Sequence, residues 1–203
     1  MARRKDHSPE TLRSLIAQAG KKIIQTKGLE ALTARAVARA VGYSPGTIYN
    51  LFRDLDALVL AVNYETLGML REVCETCIVA VPHGIARIRV LAHAYIDFAV
   101  ANPRLWLALF AQDGQPARPS KLPGWYHERL ADLFEFLERN LQQSLNLSAA
   151  DSQRDARLFW ACMHGITTLK LDGRLRLAGI TDATSLTDAM LARLFGGMQP
   201  KRA

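Results

Sequence analysis

Apolar residues recur every three to four positions through most of this chain, and Pro or Gly interrupts the periodic stretches. That pattern predicts an all-α fold, with no compelling strand. A first helix should open at Ser8-Pro9, with Ser as N-cap, and bury Leu12, Leu15, Ile16, Ala19 and Ile23 before ending at Gly28. Thr33 caps a short second helix running to Val41, Gly42 supplies a turn, and Ser44 caps a third short helix to about Phe52. Longer helices are predicted over 55–79, 85–100, 125–144, 150–177 and 185–195, with a short aromatic one after Asn102-Pro103. The segment Asp113 to Gly124, with Pro116, Pro119 and Pro123, is the strongest loop candidate. Two parts follow from this order, residues 1–55 and 56–203, joined through the long helix that starts at Leu55.

Within the first part, residues 34–52 read ARAVARAVGYSPGTIYNLF. Ala38 gives the second helix a small face, Gly42 takes the turn four residues later, and Ile48 projects back from the third helix six residues further on. Two short helices crossing steeply need a small residue at the contact and a residue tolerant of a left-handed backbone between them. Val37, Val41 and Phe52 complete the small core. This is the spacing of a helix-turn-helix over about 33–52.

Charge sharpens the picture. Of the 203 residues and the net charge of +7, residues 1–55 hold ten Lys or Arg against four acids, an excess of +6, and the rest of the chain is nearly balanced. A concentrated positive module suits phosphate contacts on nucleic acid. With Gly28-Leu29, Leu32-Thr33, Ala38, Gly42-Tyr43-Ser44-Pro45-Gly46-Thr47-Ile48-Tyr49, Phe52 and Leu58 in place, residues 8–60 resemble the DNA-binding domain of the tetracycline-repressor-like (TetR) family.

The resemblance implies a dimeric regulator that represses transcription and leaves its operator when a small molecule binds the helical C-terminal domain. Ser44, Pro45, Gly46, Thr47, Tyr49 and Asn50 would then present the recognition helix to the major groove, Asn50 as an adenine reader and Tyr49 on phosphate. Thr33 would meet a phosphate and Arg35 a base edge or phosphate. Thr33 and Ser44 also read as plain helix caps, Tyr49 as core, and Arg35 and Asn50 as solvated side chains. One departure stands out: the family often has Lys where this chain has Leu55. Arg53 is the natural substitute, although Asp54 and Asp56 flank it, and the basic arm Arg3-Arg4-Lys5 is another, if it is not simply a disordered tail.

For the effector pocket the candidates are Tyr95, Phe98, Trp106, Phe110, Trp125, Phe134, Trp160 and His164. The stretch Phe159 to Leu175 resembles a C-terminal motif of one TetR subgroup built around Trp160, His164 and Gly165. Trp160 and His164, one turn apart, should stack. Ala161 and Gly165, with Leu186, Met190 and Leu194, read as a dimer interface, or alternatively as interior of one chain. Cys74-Glu75-Thr76-Cys77 has the CxxC form, but one pair supplies half of a structural zinc's ligands, so a packed helix is the simpler reading and thiol sensing the other.

No cofactor or metal is expected, and no nucleophile elbow, Gly-rich phosphate loop or ligand-spaced His/Glu cluster points to an enzyme. Three cysteines and no signal-peptide-like or membrane-length apolar run make a cytoplasmic protein the expectation. A helical protein-interaction module that has lost DNA binding is the rival from another class.

Overall fold

The computed structural model describes residues 7–112, 115–116 and 122–196. Its helices are α1 (Pro9–Lys27), α2 (Ala34–Val41), α3 (Pro45–Leu51), α4 (Leu55–Ile78), α5 (Ile85–Ala101), α6 (Pro103–Phe110), α7 (Gly124–Leu145), α8 (Ala149–Leu171), α9 (Arg174–Leu177) and α10 (Ala183–Phe195), with a 3-10 turn at Leu29–Ala31. The fold is all-α. The nearest thing to a sheet among the described residues is a two-residue antiparallel pair, Ala111–Gln112 with Gln115–Pro116, at the expected loop.

Two compact units emerge. The first comprises residues up to Gly68 together with Asn102–Tyr126, and the second Met69–Ala101 with residues from His127 onward. In the first, α1 packs on α2, α3 and α6. Its core joins Leu12, Ile16, Ile24, Val37, Ala38, Ile48, Phe52, Leu58, Val62 and Leu105. The face that α1 buries differs in part from expectation: Leu12 and Ile16 are buried as predicted, but Leu15, Ala19 and Ile23 are only half-buried, while Ala17, Gly20 and Ile24 go inside. Gly20 explains the rotation, because a Cβ there would stand 3.1 Å from Val62 Cγ2 and 3.4 Å from Leu32 Cδ1. The lack of a side chain lets α4 approach α1 closely.

In the second unit α10 packs on both α5 and α8. Two boundaries differ from expectation. The helix predicted over 150–177 stops at Leu171, because Gly173 turns the backbone into the left-handed region at φ +70° and α9 restarts beyond it. The last helix begins at Ala183 rather than Ser185, since the Asp182 carboxylate accepts from the backbone N–H groups of Thr184 (2.9 Å) and Ser185 (3.0 Å). The Ser185 hydroxyl donates to it as well, at 2.5 Å, and this bond first, then the two from the backbone, favour the ionised form and hold the Asp182 carboxyl down at about 2.

Candidate nucleic-acid interface

Local chemistry builds the helix-turn-helix. Thr33, extended at φ −129°, accepts from Ala36 N–H through Oγ1 at 3.1 Å and so starts α2. Gly42 ends α2 at φ +76°, a conformation that costs glycine little, and Ala38 O accepts from Tyr43 N–H at 2.9 Å across the turn. Ser44 Oγ accepts from Thr47 N–H at 3.2 Å, and the two hydroxyls lie 3.0 Å apart. Beneath these caps Val37, Ala38, Ile48 and Phe52 are buried, as the spacing predicts.

The outward face of α3 carries the chemistry. Tyr49 is 52% exposed, which removes its reading as a core residue, and Asn50 beside it is exposed as well. Pro45 and Gly46 are exposed in the first turn and Thr47 is half-buried, its hydroxyl already engaged with Ser44. A Cβ on Gly46 would meet only Ser44 Oγ, at 3.6 Å. Packing therefore does not demand glycine there, although glycine inside a helix costs about 0.5–1 kcal/mol relative to alanine. The residue makes sense where another surface comes close.

On α2, Arg35 is exposed, and so is Arg39 one turn later. Arg39 was missing from the sequence-derived site, although an i, i+4 basic pair on a short helix was a signal that could have found it. Arg53 is 93% exposed, but its Nε lies 3.3 Å from Asp54 Oδ2, so the neighbouring carboxylate offsets part of its charge. Asp54 is itself held in place, with Oδ1 accepting from Ala57 N–H at 2.8 Å at the start of α4. Leu55 has a structural reason: it is half-buried and packs against the helix-turn-helix core. The basic arm Arg3-Arg4-Lys5 lies outside the described residues.

The remaining candidates divide between the units. Trp106, 2% exposed, and Phe110 are in the first, with ring centroids 5.4 Å apart, as is Trp125, which meets Tyr64 edge-on at 5.6 Å. In the second, Trp160 stacks on His164 (5.6 Å, 17°) as their spacing predicts, and Phe134 meets Trp160 at 5.7 Å. Tyr95 and Phe98 are both buried. Burial pushes the His164 pKa down. Ala161 and Gly165 are exposed on α8, while Leu186, Met190 and Leu194 are half-buried on α10. Cys74 is buried and its thiol is pushed up to about 12, chiefly by that burial, whereas Cys77 is exposed. Among the described residues no group of three or more His, Cys, Asp or Glu could hold a metal ion, and no helix is long and apolar enough to cross a membrane.

Residues 16–62 match the family description "Bacterial regulatory proteins, tetR family", and residues 88–194 match "Tetracyclin repressor-like, C-terminal domain". Solved structures share the fold. A protein with unknown function from Rhodococcus sp. RHA1 superposes with a TM-score of 0.75 at 23% identity, over 98% of this chain and 100% of that one. The fatty acid degradation regulator FadR from Bacillus halodurans gives 0.65 at 16% identity, over 97% and 100%. The multidrug binding protein EbrR, complexed with imidazole, gives 0.65 at 18% identity, over the whole of both chains.

Proposed function

Because this chain belongs to the tetracycline repressor-like family of DNA-binding transcription regulators, we propose that it is a homodimeric repressor released from a pseudo-palindromic operator by a small-molecule effector. The observation that carries the proposal is the outward face of α3, where exposed Tyr49 and Asn50 stand beside Thr47 on a helix whose N-terminus Ser44 caps. Asn50 reads adenine, Tyr49 and Thr33 hold phosphates, and Arg35, Arg39 and Arg53 supply positive charge. Ser44, Pro45, Gly46 and Thr47 bring the leading turn of α3 against the groove. Two such helices about 34 Å apart enter successive major grooves on one side of the duplex.

An exposed strip on α8 supports dimerisation. Leu158 (43%) and Leu169 (42%) are unusually open for such side chains, Ala161 and Gly165 lie between them on the same face, and nothing stands within 4 Å of a Cβ added at Gly165. With Leu186, Met190 and Leu194 on α10, this gives a second copy apolar surface and room for close helix approach. Trp160, His164 and Gly165 support, through the resemblance of their stretch to a known C-terminal motif, membership of that subgroup. The effector lowers DNA affinity only by its preference for the released state. A bound imidazole in EbrR supports a small-molecule site in this fold. The protein acts in the cytoplasm and is not an enzyme.

The test is selection of bound fragments from genomic DNA, followed by affinity measurements over a salt series. A specific operator should emerge, with affinity falling steeply as salt rises. Tyr49→Phe should weaken binding to every sequence, and Asn50→Ala should relax preference at one base position. If no fragment is enriched, or if Asn50→Ala leaves the preference intact, the reading of α3 is wrong.

A further inference from the structure

Asn63 is an oddity in α4. It stands in an otherwise mostly apolar run and is 2% exposed, so its amide has left water entirely. Its Nδ2 donates to the Ala108 carbonyl at 2.9 Å. Ala108 is in the last turn of α6, where carbonyls lack a helical N–H partner, so an acceptor there requires a donor and fixes which way the Asn63 amide faces. The Asn63 side chain also faces the hydroxyl of Tyr126, at the start of α7, and lowers its pKa against the burial that raises it. Asn63 Oδ1 is buried and has no donor. Leaving a buried amide oxygen unpaired is costly, and native structures keep such groups rarely and for a reason.

The surroundings indicate the reason. Tyr64, next to Asn63, meets Trp125 edge-on at 5.6 Å, and Trp125 meets Tyr126 at 5.7 Å. On α6, Trp106 and Phe110 are paired at 5.4 Å. Trp125 and Phe110 are 42% and 40% exposed, so part of this aromatic surface is open. All of these residues belong to the first unit.

We propose that Asn63 Oδ1 is the polar anchor of the effector site, and that the effector is a planar, uncharged, largely apolar molecule that presents a hydroxyl or N–H to it. This rests on the reading of the chain as an effector-responsive regulator. Flat aromatic walls select flat ligands, and a buried lone pair repels a carboxylate or phosphate. Tyr126 supplies no compensating negative charge for a cation, because burial pushes its hydroxyl up to about 12 and keeps it protonated. Trp106, Phe110 and Trp125, expected from the sequence to line a pocket, share their compact unit with Asn63, a residue that was not expected there.

The experiment titrates the full-length chain, without DNA, with 2-naphthol and with 2-methoxynaphthalene at neutral pH. The two probes have similar flat apolar bodies, and only the first carries a donor. Wild type should bind 2-naphthol about tenfold more tightly or better, since the ether leaves Oδ1 unpaired in the complex. In Asn63→Leu the two affinities should converge, with circular dichroism melts verifying that the variant is folded. Equal affinities in wild type, or no binding of either probe, overturn the proposal and need no variant. So does discrimination that persists in folded Asn63→Leu. Operator release is read separately by fluorescence anisotropy. Discrimination without DNA release upholds the Asn63 anchor and overturns the release mechanism, whereas equal release by both probes overturns the anchor.

Discussion

Replacing Leu55 with Lys restores the residue that the family often carries at the start of α4, and the structure predicts two opposing effects. Leu55 is half-buried against the helix-turn-helix core. Complete burial of a leucine side chain is worth about 1.5–3 kcal/mol, so half of it puts about 1 kcal/mol at stake. A cation in the first turn of a helix costs roughly another 0.3–1 kcal/mol against the helix dipole. Attraction to Asp54 and Asp56 returns a little of this, because exposed pairs of this kind contribute about 0–1 kcal/mol. The net loss is about 0.3–2 kcal/mol, which for a chain of this length lowers the melting midpoint by roughly 1–8 °C.

Binding should move the other way. Each added phosphate contact steepens the dependence of log affinity on log salt by about 0.9, so two protomers add about 1.8. Between 50 and 200 mM salt that amounts to about a further 12-fold loss of affinity, starting from tighter binding at low salt. Thermal melts and anisotropy titrations on Leu55→Lys measure the two effects independently. An unchanged melting midpoint refutes the packing argument, and with it the structural reason for Leu55.

Four further outcomes follow from local geometry. Ser44→Ala removes the α3 cap and should cost about 1 kcal/mol in a melt, with weaker DNA binding as the recognition helix frays; Ser44→Thr should retain most of both. Arg104→Met deletes the bonds from its guanidinium to Gln25 O (3.3 Å) and Thr26 O (2.5 Å), and amide exchange at Gly28, whose N–H donates to Ile24 O, should then accelerate. A thiol reagent should label exposed Cys77 quickly and Cys74 only on unfolding, and a disulfide between them in the native protein would contradict the packed-helix reading. His164, its pKa lowered in the fold, is protonated first in the unfolded chain, so stability should be retained above its ordinary value of 6.5 and fall as pH drops below it; His164→Gln should flatten that dependence in acid denaturation curves.

Features determined by neighbours in sequence were legible before the structure. Ser8, Thr33 and Ser44 cap helices because a short hydroxyl side chain reaches an N–H three residues on, and Gly28 and Gly42 end helices at positive φ. Other features depend on what approaches from elsewhere. The buried face of α1 is set in part by Gly20, a residue that hydropathy does not mark but that allows α4 to come near. The break after Leu171 looked like continuous helix because one glycine in a periodic run is usually tolerated.

The same division explains why the two halves of the candidate function were unequally visible. The α3 surface comes from one contiguous stretch, so its caps, exposed tyrosine and asparagine are written side by side. The Asn63 group is assembled from α4, α6 and α7, and one of its members, Ala108, contributes only a backbone carbonyl, which no side-chain pattern records. The one visible trace was a lone amide in a mostly apolar helical run, a weak signal until its partners are known. An unpaired acceptor is a relation between distant segments, and that relation gives the effector its predicted chemistry: the orphaned oxygen calls for a donor, the rings favour a flat body, and the absence of charge in Asn63 and Tyr126 disfavours an ion.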